Sequence, residues 1–325
     1  MRRRRMLLAL LLAAGCAAIP SWPQQGGNVP IVGMLVTHPP VDAPVVQALR
    51  SGLRKFGYED GRNVKLEVRT ALGHLDRVPA LARELVQQRV AVIVVVNEVA
   101  LRAVQQATST IPIVMVGFMD DPVELGWIES YRRPGSNVTG IFNVNSELVA
   151  KRLEILKETL PSLSRVAVFW DPAFGRRQLE ELQRPAGQLG VQLESIEISG
   201  PQDLEPAFKT AKRRKAGAVL MLWSPVFYVN RARIGPLALD AGLPTISDYD
   251  LLVRAGCLMS YGSEVNPAFE RAAYFVDRLL NGAKAEELPV EQISKLKLIV
   301  NLNTARALGV KIPDTILLRA DEVIR

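Results

Sequence analysis

The sequence predicts an α/β protein made of two doubly wound, Rossmann-like lobes, each a parallel sheet covered by helices, joined through a multi-strand hinge. Three observations carry this. Short β-branched runs alternate with longer segments of helical period through most of the 325 residues. The alternation comes as two successive series of about 110 residues, each of ordinary domain size. With 48% hydrophobic and only 22% charged residues, the chain can fill two cores, which excludes a disordered scaffold.

Residues 31–36 read as a strand, after which Val45, Val46, Leu49, Leu53 and Phe56 fall at helical spacing before Gly57. A second strand over 64–68 precedes a helix with Val78, Leu81, Ala82, Leu85 and Val86 on one face. Residues 91–96 form a continuous apolar run, as a strand buried on both faces requires. A helix over 99–107 and a strand over 113–116 complete the series, and a short strand at 137–140 leaves it.

The second series reads helix 147–159, strand 166–170, strand 192–198, helix 201–214, strand 218–222, helix 228–241 and strand 245–246. A strand over 258–261 leads to a helix over 267–281 that crosses back to the first lobe, and the tail from 291 returns to the second. Parallel strands joined by helices need right-handed crossovers, and several crossings between lobes make a hinge and a closing cleft. The expected division is 1–18 as export signal, 19–29 as tether, 30–140 with 262–288 as N-terminal lobe, and 141–261 with 289–325 as C-terminal lobe.

Four arginines precede the apolar stretch 6–19. At ~1.5 Å per residue that stretch is too short for a ~30 Å hydrocarbon core, so it reads as an export signal. Ala13-Ala14-Gly15-Cys16 resembles the bacterial lipobox, with Ala13 where that motif usually has Leu. A cut by the ordinary signal peptidase within 15–18 fits equally. Cys16 is therefore the candidate lipidation site, and a periplasmic or other extracytoplasmic location is expected, with or without a lipid tether to the membrane.

Removing residues 1–16 takes the net charge from +7 to +3, leaving 36 basic against 33 acidic residues. Such a balance is ordinary, so no nucleic acid partner is expected. Cys257 then lacks a partner within the chain, which excludes a disulfide framework and makes it a small buried hydrophobe.

No dinucleotide or P-loop motif, no nucleophile elbow and no metal-ligand spacing occurs, and His38 and His74 stand in separate loops. No enzyme activity, metal or cofactor is expected. Instead, polar and aromatic residues gather at the C-terminal ends of the strands, where open α/β sheets place ligands. The candidates are Thr37, His38, Asn97, Glu98 and Asp121 in the first lobe, Asn143 beyond it, and Trp170, Asp171, Phe174, Trp223, Ser224, Phe227 and Asp248 in the second. Glu98, Asp171 and Asp248 suit a ligand's ammonium, and the tryptophans offer flat apolar faces with an N–H donor. Two readings stand for several of these. His38 touches ligand or belongs to a loop, Asp121 before Pro122 caps a helix or touches ligand, and each tryptophan lines the cleft or packs in a core.

Several stretches together resemble one family. They are Ile111-Pro112-Ile113-Val114, Asp121-Pro122-Val123, Arg133-Pro134-Gly135-Ser136-Asn137-Val138-Thr139-Gly140, Met259-Ser260-Tyr261-Gly262, Ile299-Val300-Asn301-Leu302-Asn303-Thr304-Ala305 and Arg319-Ala320-Asp321-Glu322-Val323-Ile324. They resemble the ABC transporter substrate-binding proteins of the tryptophan-binding-like family, from Ile31 to Arg325. The resemblance implies a type I periplasmic-binding-protein fold, no catalysis, and delivery of a small solute, such as an amino acid or an aromatic polar metabolite, to a membrane permease and its ATPase. Within it, Gly140 and Gly262 are expected at the hinge.

Relatives commonly carry a small Gly/Thr sequence where this chain has Asn97-Glu98, suited to an anionic ligand group. A carboxylate at Glu98 repels such a group. Either it points away, or the solute presents a cation or hydroxyl there. The alternative reading is an exported ligand-sensing module that signals to a membrane receptor or kinase. A repressor would need a helix-turn-helix before Ile31, where only the signal and tether fit.

Overall fold

The computed structural model describes residues 29–118, 120–143, 146–293 and 295–325. The expected export signal, and with it Cys16, lies outside them. In the first half, β1 (Ile31–Val36), β2 (Lys65–Thr70), β3 (Val92–Val95), β4 (Ile113–Phe118) and β5 (Val138–Asn143) alternate with α1 (Pro44–Lys55), α2 (Val78–Gln87) and α3 (Glu98–Ala107). The second half holds α4 (Ser146–Thr159), β6 (Arg165–Trp170), α5 (Arg176–Gln188), β7 (Gln192–Glu197), α6 (Leu204–Arg213), β8 (Ala218–Met221), α7 (Pro225–Val229) and α8 (Arg231–Ala241). It continues through β9 (Thr245–Ser247), α9 (Asp250–Arg254), β10 (Met259–Gly262), α10 (Val265–Leu280), β11 (Glu291–Ile293), β12 (Lys297–Asn301), α11 (Leu302–Ala307), α12 (Asp314–Arg319) and β13 (Glu322–Ile324).

The strands form two sheets, ordered β11-β5-β4-β3-β1-β2 and β13-β12-β10-β9-β8-β6-β7. Every pairing in the first is parallel. Side-chain alternation sorts its residues onto two covered faces. Val32, Met34, Val92, Val94 and Val114 join α1 and α10 in one cluster, while Leu35, Ile93, Val95, Ile113 and Met115 join α2 and α3 in another. The second sheet repeats this, with Ala167, Phe169 and Val219 facing α6 and α8, and Val166, Val168 and Leu220 facing α4 and α5. The outer strands β2 and β7 carry the charged residues (KLEVRT and QLESIE), as edges must to avoid pairing with other chains.

The structure departs from the sequence expectation in four places. The second sheet is not wholly parallel, because β12 enters antiparallel to β10. The helix α5 is missing from the expected series, which passes from strand 166–170 to strand 192–198; Leu182 and Ala186 bury its inner face. The first sheet runs three residues past 140, to Asn143, and also takes Glu291–Ile293. The chain therefore changes sheets beyond 143, beyond 262 and beyond 293 rather than at 140 and 288. Finally, Gly140 lies inside β5, where its φ of +127° and a Cβ position only 2.2 Å from the Met115 carbonyl oxygen demand glycine for packing, not for rotation.

Candidate solute cleft

In both sheets the strand order reverses beside the first strand of the series, between β1 and β3 and between β6 and β8. Loops leaving neighbouring strands diverge there and open a crevice. The two crevices face each other. Between them lies a cavity with about 670 Å³ of unoccupied space, part of it open solvent.

Thr37 and Asn97 form its floor in the first lobe. The Asn97 side chain is spent on structure: its oxygen accepts the Ala100 N–H at 3.0 Å, capping α3, and its amide donates to Thr37 Oγ1 at 2.7 Å. The Thr37 hydroxyl also shares a hydrogen bond with His38 Nδ1 at 3.1 Å. Burial favours the neutral His38 imidazole and pushes its pKa down to about 4. His38 stands at the rim and meets Phe174 of the other lobe edge-on at 6.0 Å, and Phe174 meets Trp223 at 5.4 Å.

Trp223, Tyr228 and Tyr249 supply an aromatic wall in the second lobe, opposed by Phe269 of α10. Among these rings stand oxygens without protein partners. Asp248 is buried with its Oδ1 unbonded, and burial pushes its carboxyl up to about 6 against the pull of Arg152 on α4. Asn143 donates its amide to Ser263 Oγ at 3.0 Å, which leaves its own Oδ1 unbonded. The Tyr228 hydroxyl lies beside the Val45 amide outside hydrogen-bond geometry. Glu264, also at the wall, is paired with Lys297 at 2.9 Å. Among the described lining residues there is no Arg, Lys or His.

Of the residues singled out in the sequence, the cavity thus gathers Thr37, Asn97, Asn143, Trp223 and Asp248, with His38 and Phe174 at its rim. The others turn elsewhere. Glu98 does not face the cavity. It shares a hydrogen bond with Asp120, and burial together with that neighbour pushes its carboxyl up to about 8. Asp121 caps the following turn through the N–H groups of Val123 and Glu124 and accepts the Tyr131 hydroxyl. Asp171 accepts the Ser224 hydroxyl at 2.6 Å, and Ser224 caps α7. Trp170 packs into the second core and Phe227 is wholly buried in the first cluster. Sequence reasoning missed Tyr228, Tyr249 and Phe269. Tyr249 was accessible in principle, being the neighbour of Asp248 at the same strand end.

Two facing α/β lobes with a lined crevice between them have the form of a solute receptor. The comparisons agree with that class. The family described as ABC transporter substrate binding protein matches residues 30–324, and this chain belongs to it. A relative in Clostridioides difficile, the "Tyrosine-binding protein", is 24% identical over 285 residues, covering 86% of this chain and 80% of its own. A solved structure from Vibrio cholerae, a conserved domain protein, superposes with a TM-score of 0.82 at 26% identity, covering 91% of this chain and 99% of that one. An ABC domain in complex with L-Trp from Streptococcus pneumonia gives 0.80 at 22% identity over the same shares. The chain is accordingly the solute-binding component of an ABC transporter, handing a small molecule to a membrane permease and ATPase complex. Such components act outside the cytoplasm. No described helix is long and apolar enough to cross a membrane.

Proposed function

We propose that the solute carries an N–H-rich group, an amine or ammonium, on a flat apolar body. It binds between the lobes with that group at Asp248 and Asn143. The observation that carries this is the pair of buried, unbonded oxygens, Asp248 Oδ1 and Asn143 Oδ1, on the wall of a cavity lined by Trp223, Tyr228 and Tyr249. A buried acceptor left unmade costs ~1–3 kcal/mol, and a donor from the solute recovers it. Aromatic walls supply the desolvated contact area. Tyrosine and L-Trp, which the relatives' names report for those proteins, have both parts.

Thr37, Asn97 and the rim pair His38 and Phe174 complete the enclosure. A ligand touching both lobes favours their closure, the state a permease distinguishes from the empty one. In this reading, residues 1–18 export the chain, and lipid on Cys16 tethers it at the outer side of the cytoplasmic membrane.

The test is a thermal-shift and calorimetric series on the chain from residue 29 onward: tyrosine, tryptophan, tyramine, tryptamine, and the same acids without the amino group. A ligand at ~100 times its Kd raises stability by ~2.7 kcal/mol, which such a scan resolves. Compounds bearing the amine should raise the midpoint, and D248N should shrink the rise. Equal binding by the amine-free acids refutes the reading.

A further inference from the structure

Outside the cavity, one arginine spans the two lobes. Arg177, in the first turn of α5, donates Nη2 to Glu124 Oε2 at 2.7 Å and sets Nε at 3.5 Å from Asp120 Oδ1. Both acids stand in the loop between β4 and β5 of the first lobe, whereas α5 belongs to the second. We propose that Arg177 with Glu124 and Asp120 is an electrostatic latch that holds the lobes together independently of solute contact.

The parts are held in place before they meet. Glu181, one turn along α5, accepts from Arg177 Nε at 3.0 Å and fixes the guanidinium on its own helix. On the opposite side, Asp121 caps the turn from which Glu124 projects. Neither partner then loses much side-chain freedom on pairing, which is the term that makes ordinary surface ion pairs nearly worthless. Glu98 lies against Asp120 on the side away from the cavity, and burial together with that neighbour pushes its carboxyl up. None of Arg177, Glu124, Asp120 or Glu181 lines the cavity. The capped turn also gives Asp121 a task distinct from the ligand contact expected of it: it positions the latch.

The experiment is single-molecule energy transfer between dyes on α2 and α6, read without added solute, so that it does not depend on the solute's identity. R177E and E124R should each lower the closed-to-open ratio about three- to tenfold, and the double exchange E124R/R177E should return it toward the wild-type value. Raising NaCl to 1 M, where the screening length is ~3 Å, should reproduce the loss in wild type and add little in R177E. E181Q, which frees the guanidinium on its own helix but keeps both acids of the other lobe, should open the lobes less than R177E does. Unchanged ratios in R177E, or a double exchange no more closed than the singles, overturn the latch. Failure of the amine-bearing series above would leave this result untouched.

Discussion

On the proposed reading, binding and stability oppose each other at Asp248, and replacing it with asparagine separates the two. Its carboxyl is 6% exposed and titrates at about 6 instead of an ordinary 3.8, burial being the main cause and Arg152 the counterweight. At ~1.36 kcal/mol per pH unit, ionising it in the folded protein costs ~3 kcal/mol more than in the unfolded chain. The sign follows from linkage. Below pH 3.8 both states hold the proton and nothing is lost. Between about 4 and 6 the unfolded chain releases it first, so the folded state binds more protons and stability falls as pH rises, levelling above 6.

D248N cannot ionise. The empty variant should therefore be more stable than wild type at pH 7.5 by up to ~3 kcal/mol, a gain of ~5–10 °C in Tm for a chain of this size, and the gap should close by pH 4. Solute affinity should fall ~10–100-fold, the loss expected when a charged acceptor goes. Paired calorimetric scans of wild type and variant across pH 4–8 read the difference directly, other titrating groups cancelling between the two. A gap that does not vary with pH, or a variant less stable at pH 7.5, refutes the argument that the buried anion is held there at a cost.

Other predictions test the placement of single side chains. Phe227 is wholly buried among apolar side chains. Phe227→Ala should cost ~3–5 kcal/mol in a urea titration with the slope unchanged; retained stability with lost solute affinity would put Phe227 in the cleft instead. Burial pushes the Cys257 thiol up to about 12. A water-soluble disulfide reagent at pH 8 should leave it unlabelled in the native protein and label it at the rate of unfolding, so rapid labelling would contradict its inert, packed setting.

Much of the architecture was legible because it rests on local pattern. Val92 to Val95 is buried on both faces, and that requirement shows in four consecutive β-branched residues. The rule that ligands sit at strand ends reached Thr37, Asn97, Trp223 and Asp248 because each directly follows a strand or lies a residue or two beyond it. The same rule misplaced Trp170 and Asp171, since position at a strand end does not say which way a side chain turns, and these turn to a core and to Ser224.

Pro185 concealed α5, and α7 and α9 are only five residues long, too short for a period to show. The antiparallel entry of β12 has no sequence mark. Phe269 reaches the cavity only because α10 recrosses to the first lobe, a fact of topology that its own residues do not carry.

That recrossing has a consequence for how the polypeptide acquires its shape. The apolar stripe of α1 (Val45, Val46, Leu49, Leu53) is covered by α10 so closely that the carbonyl of Glu270 approaches within 2.3 Å of where a Cβ on Gly52 would sit. Lys55 bonds Glu270 across 215 residues, and Tyr58 bonds Asp277 across 219. During synthesis, the lobe begun first must wait for most of the other to emerge before its own surface can be sealed. Such long-range closure slows folding and leaves an oily face open to chaperones in the interval. Sealing of the first lobe therefore requires α10 and β11, which lie in the last fifth of the sequence.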